Sequence, residues 1–128
     1  MSFTLPKKEK LKSKKLIEQL FAEGKSVSNY PVKLIYIKTH HVDGSKIKTG
    51  VTASKRNFKH AVKRNRIKRL MRECYRLNKP LFFNNIVGDY AFMFLYLGKD
   101  MPTYEQLEAC FKLVIKKFLI KENHEKVD

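Results

Sequence analysis

Carboxylates are scarce in this chain: 12 Asp and Glu stand against 28 Lys and Arg among 128 residues, a formal net charge of +16. A metal-dependent protein nuclease needs clustered acids to hold hard cations. The acids here are scattered along the sequence, which argues against that class. Cysteine is nearly absent too. Cys74 and Cys110 are too few for a disulfide framework, and they lack the CxxC or Cys/His spacing of a zinc site. The longest apolar run, Tyr90 to Leu97, is far too short to cross a bilayer. The opening "MSFTLPKKEK" has no apolar stretch of the signal-peptide kind. The chain is therefore expected to be soluble and cytoplasmic, with no membrane partner. Internal repeats and long linkers are missing as well. One domain over residues 1–122 is expected, with a frayed tail at 123–128.

What is present is ordinary for a folded domain: nine Phe, six Tyr and 43% hydrophobic residues, enough to bury a core without staples. The charge is not evenly spread. From Lys46 to Lys79 there are thirteen Lys and Arg and a single acid, Glu73. From Pro80 to Phe111 the balance reverses, Lys99 standing against Asp89, Asp100, Glu105 and Glu108. Such asymmetry points to one basic surface and a polyanionic partner.

Periodicity gives a coarse order of elements. "SKKLIEQLFAEGKS" reads as a helix with Leu16, Ile17, Leu20 and Phe21 on one face and Gly24 at a left-handed C-cap. "YPVKLIYIKTHH" and "KIKTGVTASKR" read as strands joined through a "VDGS" turn, so that Tyr30 to Arg56 is expected to form a hairpin. His40 and His41, adjacent at the end of the first of these strands, are expected to be exposed. A basic helix should follow, capped by Asn57 and ended by Asn78, Lys79 and Pro80. "DYAFMFLYLG" has the length and apolarity of a central strand. The last helix opens with Thr103 and Gln106 in capping-box spacing, and buries Leu107, Cys110, Phe111, Val114, Ile115 and Phe118. The expected fold is α+β: a small αβ sandwich ordered helix, hairpin, basic helix, strand, helix around one sheet.

On a helical wheel Ile67, Leu70, Met71 and Cys74 share one face of the basic helix. Asn65, Lys68, Arg69, Arg72 and Arg76 gather opposite, with Arg64 and Arg66 on the flanks. Phe58, Ala61 and Val62 fall off the apolar stripe. Arginine is the informative choice, because its planar fork fits phosphate oxygens two at a time and stacks on bases. A merely solvated face would mix Lys with Glu. An interfacial membrane helix needs its apolar side free for lipid, whereas this one is needed to cover the sheet. A helix-turn-helix DNA reader needs a short helix and a tight turn just upstream, where this chain reads as strand. RNA is the favoured partner and DNA is not expected. A ribosomal component without processing activity is the main alternative.

The segment Gly50 to Leu77, "GVTASKRNFKHAVKRNRIKRLMRECYRL", closely resembles the bacterial ribonuclease P protein family. The family's mark is a strand ending in Lys-Lys or Lys-Arg, here Lys55 and Arg56, followed by an Ala-Val-x-Arg-Asn-Arg-x-Lys-Arg helix. Here that helix supplies Ala61, Val62, Arg64, Asn65, Arg66, Lys68 and Arg69. Two departures are Lys10, where the family often has Arg, and Ile17, where it often has an aromatic. The resemblance implies a left-handed βαβ crossover containing the basic helix. It also implies an endoribonuclease acting as a ribonucleoprotein, which removes the 5′ leader of precursor tRNA. The implied partners are the ribonuclease P RNA, bound by Arg64, Asn65, Arg66, Lys68, Arg69 and Arg72, and the precursor. The implied leader site is a cleft between the first helix and the sheet, with Ile17, Phe21, Tyr36, Lys55 and Arg56. The protein is expected to supply no nucleophile and to bind no cofactor alone, Mg²⁺ acting through the RNA subunit.

Overall fold

Ser13 starts the first helix: its hydroxyl accepts from the Leu16 amide at 3.2 Å, one of the orphan donors every helix start carries. In the computed structural model, which describes residues 6–122, helix α1 spans Lys14–Glu23 and follows a 3₁₀ turn at Lys7–Glu9. Strand β1 (Lys25–Asn29) turns through a cis Tyr30–Pro31 peptide into β2 (Val32–Lys38). Strand β3 (Ile47–Ala53), helix α2 (Ala61–Phe83), strand β4 (Tyr90–Tyr96) and helix α3 (Tyr104–Lys121) complete the order. The tail expected at 123–128 lies outside the described residues.

The sheet order is β1-β2-β4-β3. This corrects the expected hairpin: β2 and β3 are not neighbours, because β4 lies between them. The real hairpin joins β2 to β1, pairing Asn29 with Val32 and Lys25 with Tyr36. Strand β1, "KSVSN", escapes periodicity because Val27 is its only apolar residue. Strand β3 runs parallel to β4, with Thr49 opposite Phe92, so α2 is the connection of a βαβ unit. Gly24 also differs from expectation, with φ −66° and not left-handed. It is small for another reason: a Cβ there would run into the Leu20 carbonyl and an Ile35 methyl.

The two faces of the sheet hold separate cores. Val32, Leu34, Tyr36, Phe92 and Phe94 face α2 and α3. Ala91, Met93, Ile35 and Ile37 face α1 and Leu11. β4 is buried on both sides, which explains its unbroken apolar run. Tyr90 and Tyr36 send their hydroxyls to the Glu122 carboxylate, at 3.4 and 2.8 Å. Burial first, then that carboxylate, pushes the Tyr90 phenol up to about 12. The Thr103–Gln106 capping box is formed in both directions.

Candidate nucleic-acid interface

The basic helix begins four residues later than its sequence suggests. Asn57 does not cap it. Its amide instead donates to the Leu97 and Gly98 carbonyls at 3.3 and 3.1 Å, holding the turn after β3 against the end of β4. Phe58 is buried in the core from this loop, which is why it falls off the helical stripe. Ala61 and Val62 are exposed. Pro80 does not end the helix either, which continues to Phe83. So near the C-terminal end, proline forfeits only the bond to the Arg76 carbonyl.

Ile67, Met71, Cys74, Tyr75 and Asn78 carry the buried face of α2. Asn65, Arg69, Arg72 and Arg76 recur at i, i+4, i+7 and i+11, the spacing of one outward ridge. Arg66 flanks it on one side and the half-buried Lys68 on the other. Glu73, the one acid of the helix, is taken by Arg76 at 2.7 Å. Among the described residues no carboxylate pairs with Arg66, Lys68, Arg69 or Arg72. Arg64 has a local duty: its guanidinium donates to the Phe58 and Lys59 carbonyls at 2.7 and 2.9 Å, which ties the loop to the first turn. That turn contains no acid, so the positive end of the helix dipole adds to the side-chain charge.

Beside this ridge lies a cleft of about 450 Å³ along the free edge of β3. Ile17 and Phe21 of α1 form one wall, while Arg72 and Tyr75 of α2 form the other. Lys10 and Lys12 cross its end, held there by a bridge between Lys10 and Thr49 and by the Leu11 amide donating to the Thr49 carbonyl at 3.0 Å. A Lys79–Glu9 ion pair at 2.5 Å fastens the same segment to α2. Phe21 is 53% exposed although it is aromatic. Burial pushes the Tyr75 phenol up strongly, so this hydroxyl stays neutral. The lining cations Lys10, Lys12 and Arg72 face no lining carboxylate.

Of the expected cleft residues, the structure brings Ile17 and Phe21 together there. Tyr36 is a correction. It is 1% exposed and packs on the opposite face of the sheet, its ring edge-on to Phe118 at 4.7 Å. The pleat sends Ile35 and Ile37 to the α1 side instead. Lys55 and Arg56 are exposed in the turn beyond β3 and do not line the cleft. Arg72, expected only on the RNA-subunit surface, belongs to ridge and cleft alike. Lys10 and Lys12 were missed because nothing in their spacing shows that they cross a strand edge. His40 is exposed as expected, but His41 is buried, its Nε2 2.8 Å from the Tyr90 carbonyl.

A family model described as Ribonuclease P matches residues 5–119. The ribonuclease P protein component of Porphyromonas gingivalis strain W83 is 37% identical over 117 residues, covering 87% of this chain and 83% of its own. That of Chlorobium phaeobacteroides is 43% identical over 117 residues, covering 81% and 80%. Among solved structures, the Staphylococcus aureus RNase P protein has a TM-score of 0.69 at 20% identity, covering 86% of this chain and 94% of its own. The Thermotoga maritima RNase P protein has a TM-score of 0.59 at 23% identity, covering 93% and 99%. These structural likenesses bear on the fold, and the sequence matches bear on the family.

Proposed function

The chain belongs to the ribonuclease P protein family, and we propose that it binds the RNA subunit of a ribonuclease P particle and the 5′ leader of precursor tRNA. The observation that carries this reading is the α2 ridge, whose Arg66, Lys68, Arg69 and Arg72 have no carboxylate partner among the described residues. A-form RNA hides its base edges in a deep groove, so a cationic ridge grips phosphates and shape. Arg64, Asn65, Arg66, Lys68, Arg69 and Arg72 meet the folded RNA subunit, Arg64 also keeping the loop before α2 in place.

The cleft takes the single-stranded leader. One base stacks on the exposed ring of Phe21, while Lys10, Lys12 and Arg72 follow the phosphates. Ile17 supplies an aliphatic wall, and Lys55 and Arg56 extend the basic track past the end of β3. Stacking of this kind contributes roughly 1–3 kcal/mol per base and tolerates any sequence. Tyr36 has no part in it.

Bond cleavage and its Mg²⁺ ions are assigned to the RNA subunit. The donor set supports this assignment: among the described residues no three His, Cys, Asp or Glu side chains come together as a metal site requires. Burial pushes the Cys74 thiol up to about 12, which keeps it protonated and poorly nucleophilic. The chain's own residues bind and orient. No helix among the described residues is long and apolar enough to cross a membrane.

The test mixes this protein with a bacterial ribonuclease P RNA and precursor tRNA at low Mg²⁺. Cleavage at the mature 5′ end, absent without the protein, is the expected result, and no stimulation contradicts the proposal. In the same assay Phe21→Ala should weaken binding of leader-bearing precursor by roughly 5- to 150-fold, the equivalent of one stacked base. Affinity for mature tRNA should not change. Equal losses for both ligands would remove the cleft from the account.

A further inference from the structure

Strand β1 is an edge whose hydrogen-bonding groups are already half occupied, and by side chains. Its pairing with β2 starts beside a two-residue turn, with Asn29 opposite Val32. The Pro31 carbonyl points the other way, accepting from the Leu97 amide at 2.7 Å. In an antiparallel ladder the bonding direction alternates. Lys25, Val27 and Asn29 therefore bond inward to β2, while Ser26 and Ser28 turn their N–H and C=O outward. Both outward carbonyls are met by lysines from α3. Lys117 Nζ donates to the Ser28 carbonyl at 2.8 Å, and Lys121 Nζ to the Ser26 carbonyl at 2.8 Å.

The opposite edge of the sheet is treated differently. There β3 is partly closed by backbone, through the Lys10 bridge and the Leu11 amide on Thr49. β1 has no such strand beside it among the described residues, and Lys25 is its only charged residue. Open, neutral strand edges are templates for pairing with another chain. This one is also self-complementary. A two-fold axis through Val27 sets Ser26 opposite Ser28 and Lys25 opposite Asn29, with no like charges facing each other. Each outward N–H then meets an outward carbonyl of the second copy, the geometry of a closed symmetric dimer.

We propose that β1 is a latent strand-addition surface for a second copy of this chain, and that Lys117 and Lys121 hold it shut. The two ammonium groups occupy the acceptors an incoming strand would use, and they place two positive charges where a second copy would bring two more. The last turns of α3 thus keep a sheet edge from pairing, in addition to covering the core.

The experiment measures self-association of the full chain by sedimentation, up to the highest soluble concentration. Lys117→Met with Lys121→Met should shift the protein from monomer to dimer while the far-UV spectrum stays native. Lys112→Met with Lys116→Met removes the same charge from the same helix, touches no β1 carbonyl, and should leave a monomer. Adding Ser28→Pro to the first pair removes an outward N–H that no ladder bond uses, and should restore the monomer. A natively folded Lys117/Lys121 variant that stays monomeric overturns the proposal. So does equal dimerisation of the control pair, or a dimer that survives Ser28→Pro. Should the methionine pair lose its fold, Lys117→Gln with Lys121→Gln is read by the same outcomes.

Discussion

Affinity for the ribonuclease P RNA is expected to fall about 10³–10⁵-fold between 50 and 200 mM salt, the loss that six to ten phosphate contacts imply. Arg66→Ala with Arg69→Ala should flatten that dependence, lowering the log–log slope by about 1.8, or roughly 0.9 for each contact removed. At 0.15 M salt the same two contacts correspond to a loss of about 30-fold. These two residues are the right ones to change. Both are exposed on α2, and neither has a carboxylate partner among the described residues. Arg64 would be a poor choice, because removing it also releases the Phe58 and Lys59 carbonyls. Arg76 is already engaged by Glu73. An unchanged slope in the double variant would show that the RNA docks elsewhere.

The second large effect is on stability. Phe94 is fully buried in the middle of β4, where both C-terminal helices meet the sheet. Its ring stacks on Phe111 of α3 at 4.6 Å and tilts against Tyr75 of α2 at 5.8 Å. Phe94→Ala removes the bridging ring and leaves a cavity between two helices that cannot both collapse into it. The expected cost is about 3–5 kcal/mol, a large share of the 5–15 kcal/mol typical of a whole domain. Urea unfolding should show it as a lowered midpoint. Saturating ribonuclease P RNA should recover part of the loss, since a ligand of the native state stabilises it by mass action. A cost below about 1 kcal/mol would mean that α2 is held by something other than this aromatic junction.

Much of this architecture is legible in the residues because the physics involved is local. The capping box at Thr103, the buried run of β4 and the Ile67–Met71–Cys74 stripe all follow from spacing alone. Pairing is not local. Nothing in "YPVKLIYIKTHH" or "KIKTGVTASKR" says that a strand 40 residues downstream will insert between them, so proximity suggests a hairpin that does not form. β1 is invisible for the opposite reason, as it has too few apolar residues to show a period.

The functional residues divide along the same line. The α2 ridge is readable because helical spacing sets its direction. The cleft is not, because it is built from α1, α2, the β3 edge and the Lys10–Lys12 segment, each distant in sequence. Tyr36 shows how sharp the failure can be. A period of two sends neighbouring residues to opposite faces, so a shift of one position exchanges a buried core tyrosine for Ile35 on the α1 side. His41 is a smaller case, drawn inside by a backbone carbonyl on β4.

Lysine reactivity tests the central claim most directly. The protein is acetylated under limiting conditions, free and bound to ribonuclease P RNA, and the modification of each lysine is measured. If the α2 ridge is the dock, Lys63 and Lys68 lose reactivity on binding, while Lys112 and Lys116 on the outer side of α3 keep theirs. Lys68 left fully reactive in the complex, with Lys112 and Lys116 shielded, would contradict the account.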